Sequence, residues 1–142
     1  MLIYLIWVFP NDVAEEYESI TITRPVDRVI DGGTIAITIG ERVRLLGIKT
    51  PQSGEECFAS ARDKLRQMIG NNEVTLIADK NNRDENGMLL RWIFVNGKNI
   101  NIELVKAGLV EAFITDEKKY VQEILDAEQE AQENKIGCLW TE

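Results

Sequence analysis

Asp31-Gly32-Gly33-Thr34, followed by Arg44-Leu45-Leu46-Gly47-Ile48-Lys49-Thr50-Pro51, is the stretch whose reading decides the fold. Two adjacent glycines accept the backbone angles of a tight turn at little steric cost. They join the strands on either side. Upstream, Ser19-Ile20-Thr21-Ile22-Thr23 alternates with period two, and Val26–Ile30 continues it beyond a bend at Pro25. Downstream, Thr34–Ile39 and Arg42–Ile48 read as strands joined at Gly40-Glu41, and 50–54 is a loop. A helix is expected over Glu55–Ile69, stopped by Gly70, with Ala61, Leu65, Met68 and Ile69 on one face. Strands follow at Glu73–Asp79 and Met88–Val95, and Asn96-Gly97 is a hairpin turn. Helices are expected at Asn101–Ala107, with Asn101 as N-cap, and at Asp116–Lys135. Strands first and helices interspersed make an α+β chain, and its order is compatible with a curled five-stranded OB barrel.

A chain of 142 residues, 44% hydrophobic and 28% charged, builds one core. It has no histidine, which excludes a Ser-His-Asp triad, a Cys-His pair and a histidine-ligated zinc. Two cysteines do not complete a four-ligand zinc site either. Catalysis here would rest on carboxylates, Lys, Arg, Tyr or an oxygen-ligated ion such as calcium. The net charge of −8 divides unevenly: −4 over 1–19, +2 over 20–100 and −6 over 101–142. That balance opposes tight, whole-surface binding of nucleic acid, yet leaves room for a local anion site in the middle.

Several segments in series resemble the staphylococcal nuclease (thermonuclease) family. They are Arg28-Val29-Ile30-Asp31-Gly32-Gly33-Thr34, the run Arg44 to Pro51, Ala59-Ser60-Ala61, Asn101 to Leu109, and Gly137-Cys138-Leu139-Trp140. The resemblance implies a five-stranded OB barrel with three helices over 19–142, preceded by an N-terminal extension over 1–18. It also implies calcium-assisted cleavage of phosphodiesters, in which two aspartates and a threonine carbonyl hold the ion. A glutamate handles the attacking water and two arginines stabilise the charged phosphate.

Carried over position by position, that machinery is mostly replaced. The metal-binding aspartates stand at Gly33 and Lys49, the glutamate at Gln52 and the second arginine at Met88. Arg44 and the Thr50 carbonyl remain. A divalent ion about 4 Å from an ammonium meets roughly 8 kcal/mol of repulsion at an effective dielectric near 20. The expectation is therefore a nuclease-like domain without calcium or catalysis, acting as a binding module. Its partner would be a protein or a small anionic ligand, with weak nucleic-acid binding as a further option. Arg42, Arg44 and Lys49 are the candidate phosphate-binding residues, with Lys49 standing where the ion would be and pairing with Asp31. The plainer reading of Lys49 is a solvated lysine on a barrel rim. The alternative function is a phosphodiesterase using calcium or another metal through relocated acids, Glu55, Glu56, Asp84 or Glu85. Against it, Glu55 and Glu56 fall in the first turn of the expected helix, where acids are ordinarily favourable, and Asp84 and Glu85 are turn residues.

The resemblance brings Cys57 near Cys138. Paired, they close a loop long enough to stabilise by about 4 kcal/mol and point to an extracytoplasmic, oxidising setting. Unpaired, they are two small buried hydrophobes and the setting is cytoplasmic. Leu2–Phe9 is apolar, but eight residues fall far short of the roughly 20 that span a bilayer. This run reads as a strand or as the remnant of an anchor, and offers a surface for oligomerisation.

Overall fold

The computed structural model describes residues 21–38 and 40–141. The N-terminal extension, with its apolar run, lies outside them. The elements are β1 (Ile22–Arg24), β2 (Val26–Asp31), β3 (Thr34–Ile37), β4 (Arg42–Leu45), β5 (Ile48–Lys49), α1 (Phe58–Ile69), β6 (Val74–Ile77), β7 (Leu89–Val95), β8 (Lys98–Asn99), α2 (Ile100–Lys106), β9 (Glu111–Ala112), α3 (Val121–Glu133) and α4 (Gly137–Trp140).

The main sheet runs β1-β6-β7-β4-β3-β2. Its two ends, β1 and β2, are one strand interrupted at Pro25, so the sheet curls back on itself as an OB-like barrel. Pro25 has no N–H for the ladder, and the break lets the first half pair with β6 and the second with β3. The β4–β7 pair is parallel. Ile35, Val43, Leu45, Val74, Trp92 and Ile93 fill the interior, and Leu65, Leu104, Val105 and Ile124 bring the helices onto it.

Several boundaries differ from the periodicity reading, most of the larger shifts for a long-range reason. The strand expected over Arg42–Ile48 breaks at Gly47, which has φ 76° and lies under Trp92. A Cβ there would sit 2.6 Å from the Trp92 ring. Beyond the break, β5 leaves the barrel and pairs with β9. The first helix starts at Phe58 and not Glu55, because Cys57 is held at φ 71° and bonded to Cys138. Glu55 and Glu56 therefore precede the helix instead of occupying its first turn. Asn99, not Asn101, caps α2, accepting from Ile102 N at 3.2 Å. Asn101 is fully buried; its Oδ1 accepts from Ile93 N and its Nδ2 donates to the carbonyls of Leu46 and Arg91, tying α2 to the barrel.

The last long helix starts at Val121, five residues later than expected. Asp79 explains the delay. Its carboxylate accepts from Lys118 N and Lys119 N, each at 2.9 Å, from Lys80 N at 2.7 Å and from Trp92 Nε1 at 3.0 Å. Amides gripped this way are held in a bend. Partial burial pushes the Asp79 carboxyl up, but the hydrogen bonds from Trp92 and the three amides outweigh it and hold the group below its ordinary value. A lowered carboxylate contributes stability above its unfolded value and loses it as pH falls through the folded one. Asp79→Asn is thus expected to be less stable at neutral pH and to lose less stability than wild type on acidification to about pH 3. Melting curves across that range check it, and parallel pH profiles for the two proteins would refute it.

Candidate functional site

The turn after β2 is built by Asp31, whose Oδ1 accepts from Gly33 N at 2.8 Å. Gly33 O in turn accepts from Leu45 N at 2.8 Å, laying the turn over β4. Gly32 meets α1 so closely that a Cβ would come within 2.6 Å of Ala61 Cβ and Thr50 Oγ1. Gly33 faces Thr50 as well, where an added Cβ would lie 3.3 Å from the Thr50 Cβ and Cγ2.

Thr50 is 5% exposed, and its Oγ1 has no hydrogen-bond partner among the described residues. Its carbonyl accepts from Gln52 Nε2 at 3.1 Å, and Gln52 N donates to Glu55 Oε1 at 2.7 Å. Gln52, standing at the glutamate position, thus turns an amide donor onto the one carbonyl left from the resemblance. Lys49 is exposed on β5 opposite Glu111, and lines a hollow of about 140 Å³ with Thr50, Pro51, Glu55, Glu56 and Leu139. It makes no ion pair among the described residues, so the expected pairing with Asp31 is not formed. Among the described residues, no three Asp, Glu, His or Cys side chains gather as a metal site.

Arg44 lies elsewhere. It is half-buried on β4 opposite Thr34, and its guanidinium makes no hydrogen bond or ion pair with another described residue. It lines a cleft of about 440 Å³, together with Phe113 and the loops bearing Asp84, Glu85, Asp116 and Glu117. Phe113 is 54% exposed, and its N–H is anchored to Gly47 O at 2.8 Å. The other guanidinium of the cleft, Arg83, is spent on Glu41 through two contacts of 3.0 and 2.9 Å. That pairing holds Glu41 below its ordinary value.

Three of the cleft carboxylates have structural tasks. Asp84 accepts from Asn86 N and Met88 N, closing the turn at the second arginine position. Asp116 accepts from Asn81 Nδ2, which lowers its pKa, and Glu117 accepts from Thr115 N.

Arg42 is exposed two residues before Arg44 and lines neither hollow. The three candidate phosphate-binding residues are therefore not gathered: Arg42 and Arg44 share a strand, while Lys49 sits in a separate hollow among glutamates. Phe113 was missed in the sequence because it lies just after β9, a strand of only two residues that shows no period. Cys57 and Cys138 are disulfide-bonded, with Cα atoms 5.6 Å apart. Among the described residues no helix is long and apolar enough to cross a membrane.

The profile of the family described as staphylococcal nuclease homologue matches residues 42–142. Among curated proteins, the SPbeta prophage-derived endonuclease YokF of Bacillus subtilis (strain 168) is 33% identical over 132 residues, covering 82% of this chain and 43% of that protein. The thermonuclease of Staphylococcus intermedius is 32% identical over 125 residues, covering 81% of this chain and 74% of that one. Endonuclease YncB of Bacillus subtilis (strain 168) is 32% identical, with 82% and 60% covered. The chain thus spans less than two thirds of two of these three relatives.

Proposed function

We propose that this chain, which belongs to the staphylococcal nuclease family, is a member that binds an anionic ligand without calcium and without cutting it. The observation that carries the reading is the state of the Thr50 carbonyl, capped by the amide of Gln52 between a lysine and a glycine. Calcium takes six to eight oxygens, with formal negative charge among them. The positions around Thr50 offer an ammonium, a bare backbone and a carbonyl facing an N–H donor, so the residues present do not fit the ion. The acids weighed as replacements, Glu55, Glu56, Asp84 and Glu85, do not gather into a metal site among the described residues either. Glu55 is hydrogen-bonded to Gln52 N, Glu56 shares its hollow with Lys49, and Asp84 holds its own turn.

What remains is a cleft lined by Arg44, whose guanidinium has no partner among the described residues, and by an exposed aromatic ring. Arg44 offers a fork for phosphate or carboxylate, and Phe113 offers an apolar face. The carboxylates around them keep affinity low and make it strongly salt-dependent. The disulfide supports an oxidising, extracytoplasmic setting for this domain.

The test is digestion of plasmid DNA and of RNA in millimolar calcium against EDTA, with a calorimetric calcium titration of the same sample. Both nucleic acids are expected to stay intact in either buffer, and the titration to show no binding heat. Calcium-dependent cleavage abolished by EDTA would overturn the reading.

A further inference from the structure

β7 pairs with β4 through Leu89–Arg91 and turns back at its other end, at Asn96-Gly97. Both turn residues take positive φ, 50° and 79°, and the tight turn lays β8 against Phe94 and Val95. α2 follows β8 without a break, and α1 packs against α2. Together α1, β8 and α2 bound an open hollow of about 580 Å³. It shares no lining residue with the Arg44 cleft or with the hollow at Lys49.

The floor of this hollow is apolar. Val95 and Ile100 are buried, while Met68 and Ala107 are half-buried against the core. Ala61, Leu65 and Ile69 form the buried stripe of α1, and Met68 falls at its edge, where it stays open to the hollow. Ala107 ends α2 with a side chain too short to fill the space. The rim is cationic, with Lys64 from α1, Lys98 from β8 and Lys106 from α2. The Lys98 ammonium has no ion-pair or hydrogen-bond partner among the described residues. Lys64 donates to a neutral group, Gln67 Oε1, at 3.3 Å. Glu103 is the one carboxylate of the lining, and it is engaged with Lys106 at 3.6 Å. In a chain of net charge −8, three ammoniums from three elements thus face one carboxylate above an apolar floor.

A lysine lays its methylene stem along apolar surface and keeps its ammonium in water, so charge stands at the mouth of the hollow and apolar surface below it. An ammonium is a point charge without the planar fork of arginine, and it favours compact negative charge of any geometry. Hollows of roughly 300–1,000 Å³ with apolar walls and a few convergent polar groups are of the size that holds small molecules. We propose that the hollow between α1, β8 and α2 binds a small amphiphilic anion from solution. Its apolar tail would lie on Met68, Val95, Ile100 and Ala107, and its compact head, such as a carboxylate, among Lys64, Lys98 and Lys106. The ligand is a free molecule and not a bilayer, because the apolar groups lie at the bottom of a concave surface, whereas a bilayer takes up an apolar face that protrudes. The large exposed apolar side chains Phe113, Leu125 and Ile136 stand outside this hollow. The site is independent of the Arg44 cleft, and neither reading depends on the other.

Octanoate, titrated in EDTA below the concentration at which it forms micelles, is the probe. The readout is the methyl spectrum of protein carrying ¹³C-methyl methionine, whose three methionines are Met1, Met68 and Met88. The Met68 signal, assigned with Met68→Leu, is expected to shift to saturation with a dissociation constant of about 1 mM, while Met88 stays in place. Octanol, with the same tail and no charge, should bind at least about fivefold more weakly, and butyrate, with the same head and a short tail, at least about tenfold more weakly. Lys64→Gln and Lys98→Gln should each weaken octanoate about two- to fivefold with melting temperatures unchanged. Arg66→Gln, about 200° round α1 from Lys64, should leave the affinity as it is. A Met68 signal that does not move, octanol binding as tightly as octanoate, or affinity untouched by both lysine variants would overturn the site. Vesicles of phosphatidylglycerol are expected to leave the spectrum unchanged, and a Met68 shift with vesicles but not with octanoate would overturn the free amphiphile as the ligand.

Discussion

Replacing both cysteines, as Cys57→Ser with Cys138→Ser, is expected to lower the melting temperature by about 15 °C while leaving the far-ultraviolet dichroism unchanged. The bridged residues are 81 apart in sequence. Closing a loop of that length removes chain entropy from the unfolded state worth about 4.5 kcal/mol. Domains of this size have total stabilities of roughly 5–15 kcal/mol, so the bond is a large share of the whole. At about 3 °C per kcal/mol the loss becomes the stated shift.

The fold itself should survive, because the C-terminal segment is docked by more than sulfur. Leu139 N donates to Gly108 O at 2.9 Å and Ile136 N to Ala131 O at 2.9 Å. Gly108 and Gly137 touch backbone to backbone, so closely that a Cβ on either would land on a carbonyl of the other segment. A shift under about 3 °C, together with thiols that alkylate freely in the native wild type, would remove the bond from any account of stability.

The same bond shows why some boundaries were illegible in the sequence. Amphipathic spacing marks which residues of Glu55–Ile69 are compatible with a helix. It cannot know that residue 57 is pinned in a left-handed conformation by a partner at the far end of the chain. The delay of α3 is similar, since Asp79 grips the amides of Lys118 and Lys119 from about 40 residues upstream. The strands and the place of the turn at Gly32-Gly33 were legible because period-two alternation is local. Neither glycine takes a left-handed φ, however, and Gly32 is required by the close approach of Ala61 and Thr50, which only the fold brings about.

Site residues divide along the same line. The expectation that Gly33, Lys49, Gln52 and Met88 stand at the positions of the family's machinery rests on matching motifs. That Gln52 turns its amide onto the Thr50 carbonyl does not, because only the fold of the loop brings them together. Arg42, Arg44 and Lys49 looked like one group because they lie within eight residues of one another. The break at Gly47 sends β5 to β9 and separates Lys49 from the arginines.

If calcium binding and cleavage have been lost at the four named positions, restoring them should restore both in a defined order. Lys49→Asp alone is expected to show no calcium binding, because Gly33 still supplies no ligand and Gln52 still caps Thr50. Gly33→Asp with Lys49→Asp and Gln52→Glu changes the local charge by about four units toward negative. At an effective dielectric near 20, the repulsion of about 8 kcal/mol from the ammonium becomes an attraction of similar size from a carboxylate. The same change replaces the donor on the Thr50 carbonyl with a group that has no N–H.

Gly33 tolerates the substitution in backbone terms, since its φ lies outside the left-handed region, and Thr50 needs to yield only a few tenths of an ångström to the new Cβ. Lys49 gives up no ion pair among the described residues. Calorimetry is expected to give a dissociation constant for the triple variant of about 10⁻⁴–10⁻³ M, in the range of extracellular calcium modules. Adding Met88→Arg restores the second arginine that the resemblance implies, and EDTA-sensitive cleavage of plasmid DNA should then appear over a wild-type background of none. A quadruple variant that melts like wild type yet neither binds calcium nor cuts would mean that the loss lies deeper than these side chains, in the backbone of the 31–34 turn or the 50–56 loop.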